Sequence, residues 1–413
     1  MTGNNKPAPT APDERYISLD ILRGFAVLGI LIMNIQSYSM PEAAYLNPTA
    51  FGDLTVINKW IWIVSHVLAD QKFISLFSIM FGAGIILFTS RIEARGLKPA
   101  GLHYRRIFWL LLIGLIHAYG FWHGDILVTY ALCAMIAYPF RKLKPQTLLI
   151  VGLIIFSVSS LLFMLFGFSI SEWPQEAVAG TLQSWKPDPV RIAGEIAAYR
   201  GGWLQQMTHR VFASLNFQIF IFLIWTGWRV GGLMLLGMAL YKWDMLTAKR
   251  SQKFYGTLMG VGFGIGLLLI IMGVIKNFAA GWSLEYSMFL GSQFNYWGSL
   301  LVALGYIGLI MLLSKYLIHK GHKTPLQAVG RSAFTNYLFQ TVICTFIFYG
   351  HGLGLFGKVE RITQLLMVVG VWTLQLIISP VWLRYFRYGP VEWIWRSLTY
   401  WKIQPLMNRK RKA

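Results

Sequence analysis

A short segment in the first third of the chain carries a histidine and an aspartate at a spacing that suits acid–base chemistry. Residues 115–127 read LIHAYGFWHGDIL, and Gly120 and Gly124 indicate a tight turn between two helices. Such a hairpin brings His117 close to Asp125, and a carboxylate that accepts from one imidazole nitrogen leaves the other available as a general base. We therefore predict that His117 and Asp125 form a catalytic pair. A plainer interpretation stays open, in which Asp125 caps its helix and His117 is a satisfied core histidine.

The other histidines and the cysteines predict no metal site. We expect His123 to be an exposed turn residue and His66 to lie at the membrane interface in an amphipathic segment. The eight histidines are scattered and form no His-x-x-x-His or His-Glu-x-x-His pattern. Cys133 and Cys344 lie in apolar runs, so we expect neither a disulfide framework nor a cysteine metal site.

The first apolar run contains polar side chains that are costly in a membrane, at about 2.5–3.5 kcal/mol for each ionisable group. Asp20 and Arg23 are three residues apart and share one helix face, to which Asn34 returns after about three turns. We predict that these three residues bind substrate as a polar stripe that faces a cavity. An Asp–Arg pair that only anchors the end of the helix is the alternative.

Four further polar residues in or beside apolar runs are predicted to bind substrate: Lys72, Arg229, Asn336 and Gln340. Arg229 lies among glycines, where a fixed cation and an accessible backbone suit an anionic ligand. Lys72 has an alternative role, in which its long side chain reaches the outer interface. Asn336 and Gln340 continue a stripe that begins at Ser332, and such stripes also join helices to one another.

The composition indicates which kind of protein must position these residues. Of 413 residues, 56% are hydrophobic and only 13% are charged, and the mean hydropathy is +0.54. These values exclude an ordinary soluble enzyme, a disordered chain and a secreted disulfide-rich domain. The apolar runs are continuous rather than alternating, which excludes a membrane β-barrel. We predict an all-α polytopic membrane helix bundle with interfacial amphipathic helices and ten transmembrane helices, at residues 17–38, 72–91, 104–122, 125–140, 147–169, 212–240, 254–275, 294–316, 332–350 and 362–383.

The distribution of positive charge predicts the topology. Most of the 37 Lys and Arg residues fall in alternate loops and in the C-terminal stretch, which places both termini in the cytoplasm. This accounts for most of the net charge of +21 without a nucleic-acid partner. Residues 39–71 are then outside as an interfacial helix, and residues 170–211 as a small cap. We expect a Trp-rich amphipathic helix at 389–401 on the inner side, and residues 409–412 on anionic lipid headgroups.

Five stretches of the sequence resemble one bacterial family: RYISLDILRGFAVLGILIMNI, LFSIMFGAGI, IHAYGFWHGDIL, GRSAFTNYLFQTVICTFIFYG and WLRYFRYGPVEWIWRSLTY. Together they are similar to the YeiB-like inner-membrane proteins across nearly the whole chain. The opening also resembles the transmembrane acyltransferases typified by heparan-alpha-glucosaminide N-acetyltransferase. Their (S/T)LD-x-x-RG pattern matches Ser18, Leu19, Asp20, Arg23 and Gly24.

The second resemblance implies an enzyme that takes acetyl from cytoplasmic acetyl-CoA and places it on an acceptor across the membrane. In the glucosaminide enzyme the catalytic histidine lies in the outer segment between the first two spans. This chain has no matching histidine there, since His66 stands at a different spacing. The YeiB-like motif holds His117 instead.

We expect a single membrane domain over residues 1–413. Residues 17–211 form its N-terminal helices with the catalytic hairpin, residues 212–401 its C-terminal YeiB-like helices, and residues 402–413 a basic tail. The sixth apolar run is too long for one simple span, and three glycines are expected to break or tilt it: Gly227, Gly231 and Gly232.

The expected function is that of a transmembrane acyltransferase in the bacterial inner membrane. It would move an acyl or acetyl group from cytoplasmic acyl-CoA to a hydroxyl or amine of a glycan or small metabolite at the outer side. Acyl-CoA is the expected donor, without a metal, and membrane lipid and the acceptor are the expected partners, with a homodimer left open. A transporter or exporter of a small metabolite or lipid is the alternative, although no internal repeat supports it. A sensory or structural membrane protein is the third possible class of function.

Overall fold

The computed structural model describes residues 16–319 and 324–408, and these residues form a bundle of α-helices. Within these ranges the only extended pairing is an isolated bridge between Phe386 and Met407. The predicted all-α fold is confirmed. The helices are α1 Ile17–Ser39, α2 Glu42–Leu46, α3 Val56–Leu68, α4 Lys72–Glu93, α5 Ala100–Gly120, α6 Leu127–Ala137, α7 Pro145–Ser169, α8 Gln175–Trp185, α9 Pro189–Arg200, α10 Gln205–Asn216, α11 Gly227–Lys242, α12 Gln252–Ala279, α13 Ser292–His319, α14 Pro325–Arg331, α15 Ala333–Phe348, α16 Arg361–Tyr385 and α17 Pro390–Tyr400. Shorter elements are the 3-10 turns Tyr138–Lys142 and Ile170–Glu172 and the π-helical segments Phe217–Thr226 and Leu284–Gly291.

Seven helical segments in the described part of the chain are long and apolar enough to cross a membrane: Ile17–Ser39, Val56–Glu93, Pro145–Glu172, Gln205–Lys242, Gln252–Ala279, Leu284–Leu317 and Arg361–Tyr385. The chain is therefore a multi-pass membrane protein. The count differs from the ten spans predicted, because the predicted spans that correspond to α5, α6 and α15 are not among these seven. Helix α6 has only 11 residues and α15 only 16, and α5 carries His103, Arg105 and Arg106 in its first two turns. These three helices nevertheless belong to the bundle and supply most of the candidate site.

The sixth apolar run forms one continuous helical stretch. Helix α10 passes through the π-helical segment Phe217–Thr226 directly into α11, which begins at Gly227. The hydrogen bonds change register to i→i+5 there, and the chain continues as a helix. Gly232 serves close packing instead, since a Cβ at that position would lie 2.6 Å from the carbonyl oxygen of Gly152 on α7. The predicted break at Gly227, Gly231 and Gly232 is therefore wrong.

Helix α1 lies in the middle of the bundle, with 72% of its most apolar stretch buried, against 22% for α16. It approaches α14 closely because glycines meet at the contact. A Cβ on Gly24 would overlap the backbone of Leu326, and one on Gly330 would overlap the carbonyl oxygen of Asp20. This contact holds the first turns of α1, with Asp20 and Arg23, against α14.

The two long connecting segments each fold into several short elements. Residues 39–71 contain α2 and α3 rather than the single interfacial helix that was expected, and α3 turns into α4 at Gln71, whose φ of 63° is left-handed. Residues 170–211 contain α8, α9 and the beginning of α10, which we call the cap. The expected Trp-rich amphipathic helix is α17. Residues 409–412, expected on lipid headgroups, lie outside the described ranges.

Candidate active site

The turn between α5 and α6 brings His117 and Asp125 into contact. Helix α5 ends at Gly120 and α6 begins at Leu127, so the chain reverses direction within residues 121–126. His117 Nδ1 lies 2.7 Å from Asp125 Oδ1, and Asp125 Oδ2 accepts a 2.9 Å hydrogen bond from the backbone N–H of Val128. Asp125 therefore caps α6 and holds the imidazole at the same time. The catalytic role of the pair stays a prediction.

The second ring nitrogen of His117 faces a hydroxyl group from a distant helix. His117 Nε2 lies 2.9 Å from Oγ1 of Thr341 on α15, and Tyr38 on α1 places its hydroxyl 2.6 Å from the same oxygen. The nitrogen that was expected to be free is thus hydrogen-bonded. No pattern in the sequence indicates Thr341 or Tyr38, because 224 positions separate Thr341 from His117 and 303 separate it from Tyr38.

All four side chains of this network are buried. The exposed fraction is 0% for Asp125 and Thr341, 1% for Tyr38 and 4% for His117. The ring of Trp122 covers the network, with its centroid 4.2 Å from that of Tyr38. Hydrogen bonds in such low-dielectric surroundings are strong, and the partners are held in one arrangement. The ring of His117 is therefore fixed in position and orientation.

A cavity of about 290 Å³ lies between α1, α4, α5, α6, α14, α15 and α17, and one end of it is basic. The residues of this basic end are Arg23, Arg91, Arg106, Arg331 and Arg396. Aromatic rings hold Arg106, whose guanidinium carbon lies 4.4 Å from the ring centroid of Trp395 and 4.7 Å from that of Phe88. Two carboxyl groups, those of Asp20 and Glu392, also line the cavity, so the five guanidinium groups leave an excess of positive charge that attracts anionic groups.

The other end of the cavity is apolar and reaches the wall of the histidine site. The residues of this apolar end are Ile30, Ile126, Leu127, Tyr130 and Tyr337. Ile126 and Leu127 directly follow Asp125, and the ring centroid of Tyr337 lies 5.4 Å from that of His117. The cavity therefore leads from the arginines to the residues that surround the His117–Asp125 pair.

Asp20 and Arg23 are the two predicted substrate-binding residues that line this cavity. Their side chains form an ion pair of 3.2 Å, in which Arg23 is 32% exposed and Asp20 only 6%. The pair thus anchors the beginning of α1 and also contributes to the basic end. Asn34 is half-buried further along the same helix and is not among the residues that line the cavity.

Lys72 lies inside the bundle, with an exposed fraction of 0%. Its ammonium group donates to Asn295 Oδ1 at 2.6 Å and to the carbonyl oxygen of His66 at 2.7 Å. Asn295 also donates to Asp70 Oδ2, which lies 3.1 Å from His66 Nδ1. The interpretation of Lys72 as reaching the interface is wrong, because oxygen acceptors and the nearby carboxylate compensate its charge in the protein. This second histidine–aspartate pair is separate from the cavity.

Arg229 is also fully buried and connects helices. It donates to Ser75 Oγ at 2.9 Å and to Ser299 Oγ at 2.7 Å, and its guanidinium carbon lies 4.6 Å from the ring centroid of Tyr296. These contacts tie α11 to α4 and α13. Arg229 is not among the residues that line the cavity.

The polar stripe on α15 also joins helices. Asn336 donates to Ser379 Oγ at 3.0 Å, and Gln340 donates to Gln375 Oε1 at 3.0 Å and to the carbonyl oxygen of Val27 at 2.8 Å. These bonds connect α15 to α16 and α1, which is the plainer of the two interpretations of the stripe.

His123 is buried beneath the cap. Its Nδ1 lies 2.9 Å from the hydroxyl of Tyr199 on α9, and its exposed fraction is 7%. Trp203 closes the same region by donating to the carbonyl oxygen of Gly120 at 2.9 Å. The prediction of an exposed turn residue is wrong, because α9 and the segment after it cover the α5–α6 turn.

The cap carries a carboxyl group with a raised pKa. Glu195 Oε1 on α9 accepts a 2.9 Å hydrogen bond from the backbone N–H of Glu42 on α2. Burial raises the pKa of Glu195 to about 7, although the hydrogen bond from the N–H of Glu42 lowers it. The charge of Glu42 raises this pKa further, and Arg191 opposes it. The contact between α2 and α9 therefore depends on pH.

Comparison with known proteins places the chain in a family. Residues 240–402 match the family described as protein of unknown function DUF418. The chain is 32% identical to the uncharacterized protein YeiB of Escherichia coli strain K12 over 96% of its own length and 99% of that protein. The chain belongs to this YeiB-like family. The family resemblance seen in the motifs is thus confirmed.

Other YeiB-like relatives extend over the same length. The uncharacterized protein YxaH of Bacillus subtilis strain 168 is 34% identical over 98% of both chains. An uncharacterized 39.9 kDa protein from the amylase 3' region of Bacillus acidopullulyticus is 29% identical over 97% of this chain and 99% of that one. The DUF418 match contains Thr341 and the cavity residues of α14, α15 and α17, whereas His117 and Asp125 lie in the N-terminal part that the YeiB and YxaH matches also cover.

Proposed function

We propose that this YeiB-like protein is a membrane acyltransferase that takes an acyl group from acyl-CoA and transfers it to a hydroxyl or amine acceptor. One observation carries the proposal: a single cavity extends from five arginines to the wall of a buried histidine–aspartate pair. Few other ligands need phosphate-binding cations at one end and an acid–base group beyond an apolar passage at the other. The likeness of the SLDILRG opening to the transmembrane glycan acyltransferases supports the same reaction class.

The two ends of the cavity suit the two parts of acyl-CoA. Arginine guanidinium groups bind phosphate oxygens through charge-assisted hydrogen bonds, so the nucleotide belongs at the basic end. A volume of about 290 Å³ is close to the lower limit of small-molecule pockets. It has room for the acyl-pantetheine arm but not for the whole of CoA. With the nucleotide at the basic end, the arm enters the cavity and its thioester points towards Tyr337 and His117.

His117 supplies the general base in this proposal. Asp125 holds Nδ1, so Nε2 receives the proton of the attacking hydroxyl or amine. A C–O or C–N bond forms to the thioester carbonyl carbon as the C–S bond breaks, and the proton then passes to the thiolate, which leaves as CoA thiol. Confining both reactants to one site replaces a bimolecular encounter with a local one.

The proposal also sets the orientation in the bacterial inner membrane. Acyl-CoA is cytoplasmic, so the basic end faces the cytoplasm and the cap faces the outer side. Tyr16 and Tyr400, near the two ends of the described chain, both line the basic end of the cavity. Both termini are then cytoplasmic, which requires an even number of crossings, so α5, α6 and α15 cross the membrane in addition to the seven long segments. This orientation agrees with the preference of Lys and Arg for inner loops.

Binding of acyl-CoA to the purified protein tests the proposal. We expect acetyl-CoA or a longer acyl-CoA to bind, with affinity that falls as salt rises, and to release CoA thiol slowly. An unrelated membrane protein of similar net charge in the same detergent is the control. Binding no tighter than that of the control would contradict the proposal, and the transporter interpretation would replace it.

A further inference from the structure

The hydroxyl group that His117 contacts belongs to the protein itself. In the proposed reaction, Nε2 takes a proton from an attacking group, yet Thr341 Oγ1 already occupies that place at 2.9 Å. An acceptor from outside would have to displace a hydrogen bond that is fully buried. The simpler assignment is that the hydroxyl already in place is the first to react.

The hydrogen bonds around Thr341 form a chain with a consistent direction. In the tautomer that carries the ring proton on Nδ1, His117 donates to Asp125 Oδ1, and Asp125 Oδ2 accepts from the N–H of Val128. With its proton on Nδ1, the ring of His117 can only accept at Nε2, so Thr341 donates to it. Tyr38 then donates to Thr341 at 2.6 Å. Nucleophile, base and orienting carboxylate are in the order that activates a hydroxyl group.

Thr341 also lies at the right place along the membrane. It follows Tyr337 by one turn of α15, on the same helix face, and Tyr337 lines the apolar end of the cavity. Its hydroxyl also contacts Tyr38, the ring of Tyr38 packs on Trp122, and the residue after Trp122 contacts the cap. Thr341 therefore lies between the cavity and the cap.

We propose that Thr341 is the nucleophile, and that it carries the acyl group as an ester between donor and acceptor. This inference rests on the proposed function. In the first half-reaction Thr341 Oγ1 attacks the thioester carbonyl carbon, its proton goes to His117 Nε2, a C–O bond forms and the C–S bond breaks. The thiolate takes the proton from His117 and CoA leaves as the thiol. Tyr38 donates a hydrogen bond to Oγ1, which lowers the cost of negative charge on that oxygen.

In the second half-reaction the acceptor attacks the acyl-threonine ester. His117 takes the proton of the acceptor hydroxyl or amine, the new ester or amide forms, and the proton passes to Oγ1 as Thr341 is regenerated. CoA and the acceptor then never need to occupy the membrane interior together. CoA leaves at the basic end before the acceptor enters from the cap side, which suits a transfer across a membrane.

The ester can be detected without knowledge of the acceptor. The purified protein is mixed with acetyl-CoA alone, denatured, digested and examined by mass spectrometry. We expect a rapid release of one equivalent of CoA and one added acetyl group on the peptide that contains Thr341, removable by hydroxylamine. Thr341→Ser should also form the ester, because it keeps the hydroxyl group. Thr341→Val, which removes it, should give no ester and a CoA release rate lower by about a hundredfold or more.

Thr345→Val is the matched control. Thr345 lies one turn further along α15, is 2% exposed and donates only to the carbonyl oxygen of Val342 at 3.3 Å. This variant should form the ester at the rate of the unchanged protein. Should Thr341→Val not fold, the ester in the unchanged protein and in Thr341→Ser decides the question.

Two results would overturn the assignment of Thr341 as the nucleophile. One is full CoA release by a folded Thr341→Val variant, and the other is CoA release by the unchanged protein without any acetylated Thr341. Either would leave the proposed acyltransferase in place with direct transfer to the acceptor. Absence of acetyl-CoA binding by the unchanged protein would remove both proposals, so the two failures are distinguishable.

Discussion

The ring of Tyr337 lines the cavity and lies 5.4 Å, centroid to centroid, from the ring of His117. A donor that fills the cavity is therefore separated from the histidine by a single aromatic side chain. Neither His117 nor Thr341 lines the cavity, so the proposed reaction requires Tyr337 to turn about its side-chain bonds. That movement would join the arginines, the apolar end of the cavity and the proposed base into one path.

His117→Ala and Asp125→Asn should each reduce acetyl-CoA-dependent CoA release by about a hundredfold to ten-thousandfold. His117→Ala removes the proposed base. Asp125→Asn removes the carboxylate that keeps the ring proton of His117 on Nδ1. Because the two residues act as one unit, the double variant should be little worse than the poorer single one. His351→Ala, in an exposed loop, is the control and should retain activity. Nearly normal activity of His117→Ala would rule out this site.

Arg23→Ala should weaken acyl-CoA binding roughly ten- to hundredfold. It removes a charge-assisted contact worth about 1.5–3 kcal/mol from the basic end of the cavity. Titration calorimetry in detergent measures the effect. Arg250→Ala is the matched control, since Arg250 donates to the carbonyl oxygen of Trp243 at 2.8 Å and does not line the cavity. An equal loss in both variants would indicate a general charge effect instead of a site.

Single cysteines should reveal the orientation of the bundle. Val190 on the cap is 81% exposed and Ile403 after α17 is 78% exposed. Val190→Cys should react with a membrane-impermeant maleimide added to whole cells, and Ile403→Cys only after the cells are opened. Background labelling should be low because Cys133 and Cys344 are buried. The reverse pattern would place the basic end outside, away from cytoplasmic acyl-CoA.

The cap should lose stability around α9 as the pH rises from 4.5 to about 7, because ionisation of Glu195 places a charge in buried surroundings. Burial raises the pKa of Glu195 to about 7, so in this window the folded cap retains a proton that the unfolded chain has lost. The stability that the Glu195 carboxyl group contributes is greatest below pH 4.5 and decreases as the pH rises to about 7. Hydrogen exchange of residues 189–200, corrected for its intrinsic pH dependence, measures the change. Glu195→Gln should reduce the dependence, leaving the part that comes from Glu42, whose pKa burial also raises. Glu176→Gln, exposed on α8, should leave the dependence unchanged.

Gly330→Ala should destabilise the protein by about 1–3 kcal/mol. The added Cβ would overlap the carbonyl oxygen of Asp20 and force α14 away from α1. Gly264→Ala on α12 is the control, because no atom lies within 4 Å of its added Cβ, and it should be neutral or slightly stabilising. Melting temperatures in detergent compare the two. Equal melting temperatures would show that α1 and α14 can separate at no cost.

Hydropathy and local spacing alone predicted a large part of this protein. Apolar length identified the long spans, and the amphipathic pattern of 389–401 identified α17, because both properties depend on neighbours along the chain. The contact between His117 and Asp125 was predictable for the same reason, since a turn bounded by glycines joins residues that are eight positions apart. The local pattern did not determine which polar residues are buried, since distant elements cover both His123 and Lys72.

Only the tertiary structure decided what faces the other side of His117. Thr341 is 224 positions from His117 and 303 positions from Tyr38, and the five arginines of the basic end come from α1, α4, α5, α14 and α17. Such contacts depend on how helices rotate and cross, which is set by the close approach of glycines such as Gly24 and Gly330 and by packing over whole helix faces. Sequence spacing determines which residues share one face of a helix. Which other helix packs against that face is decided only when the bundle forms.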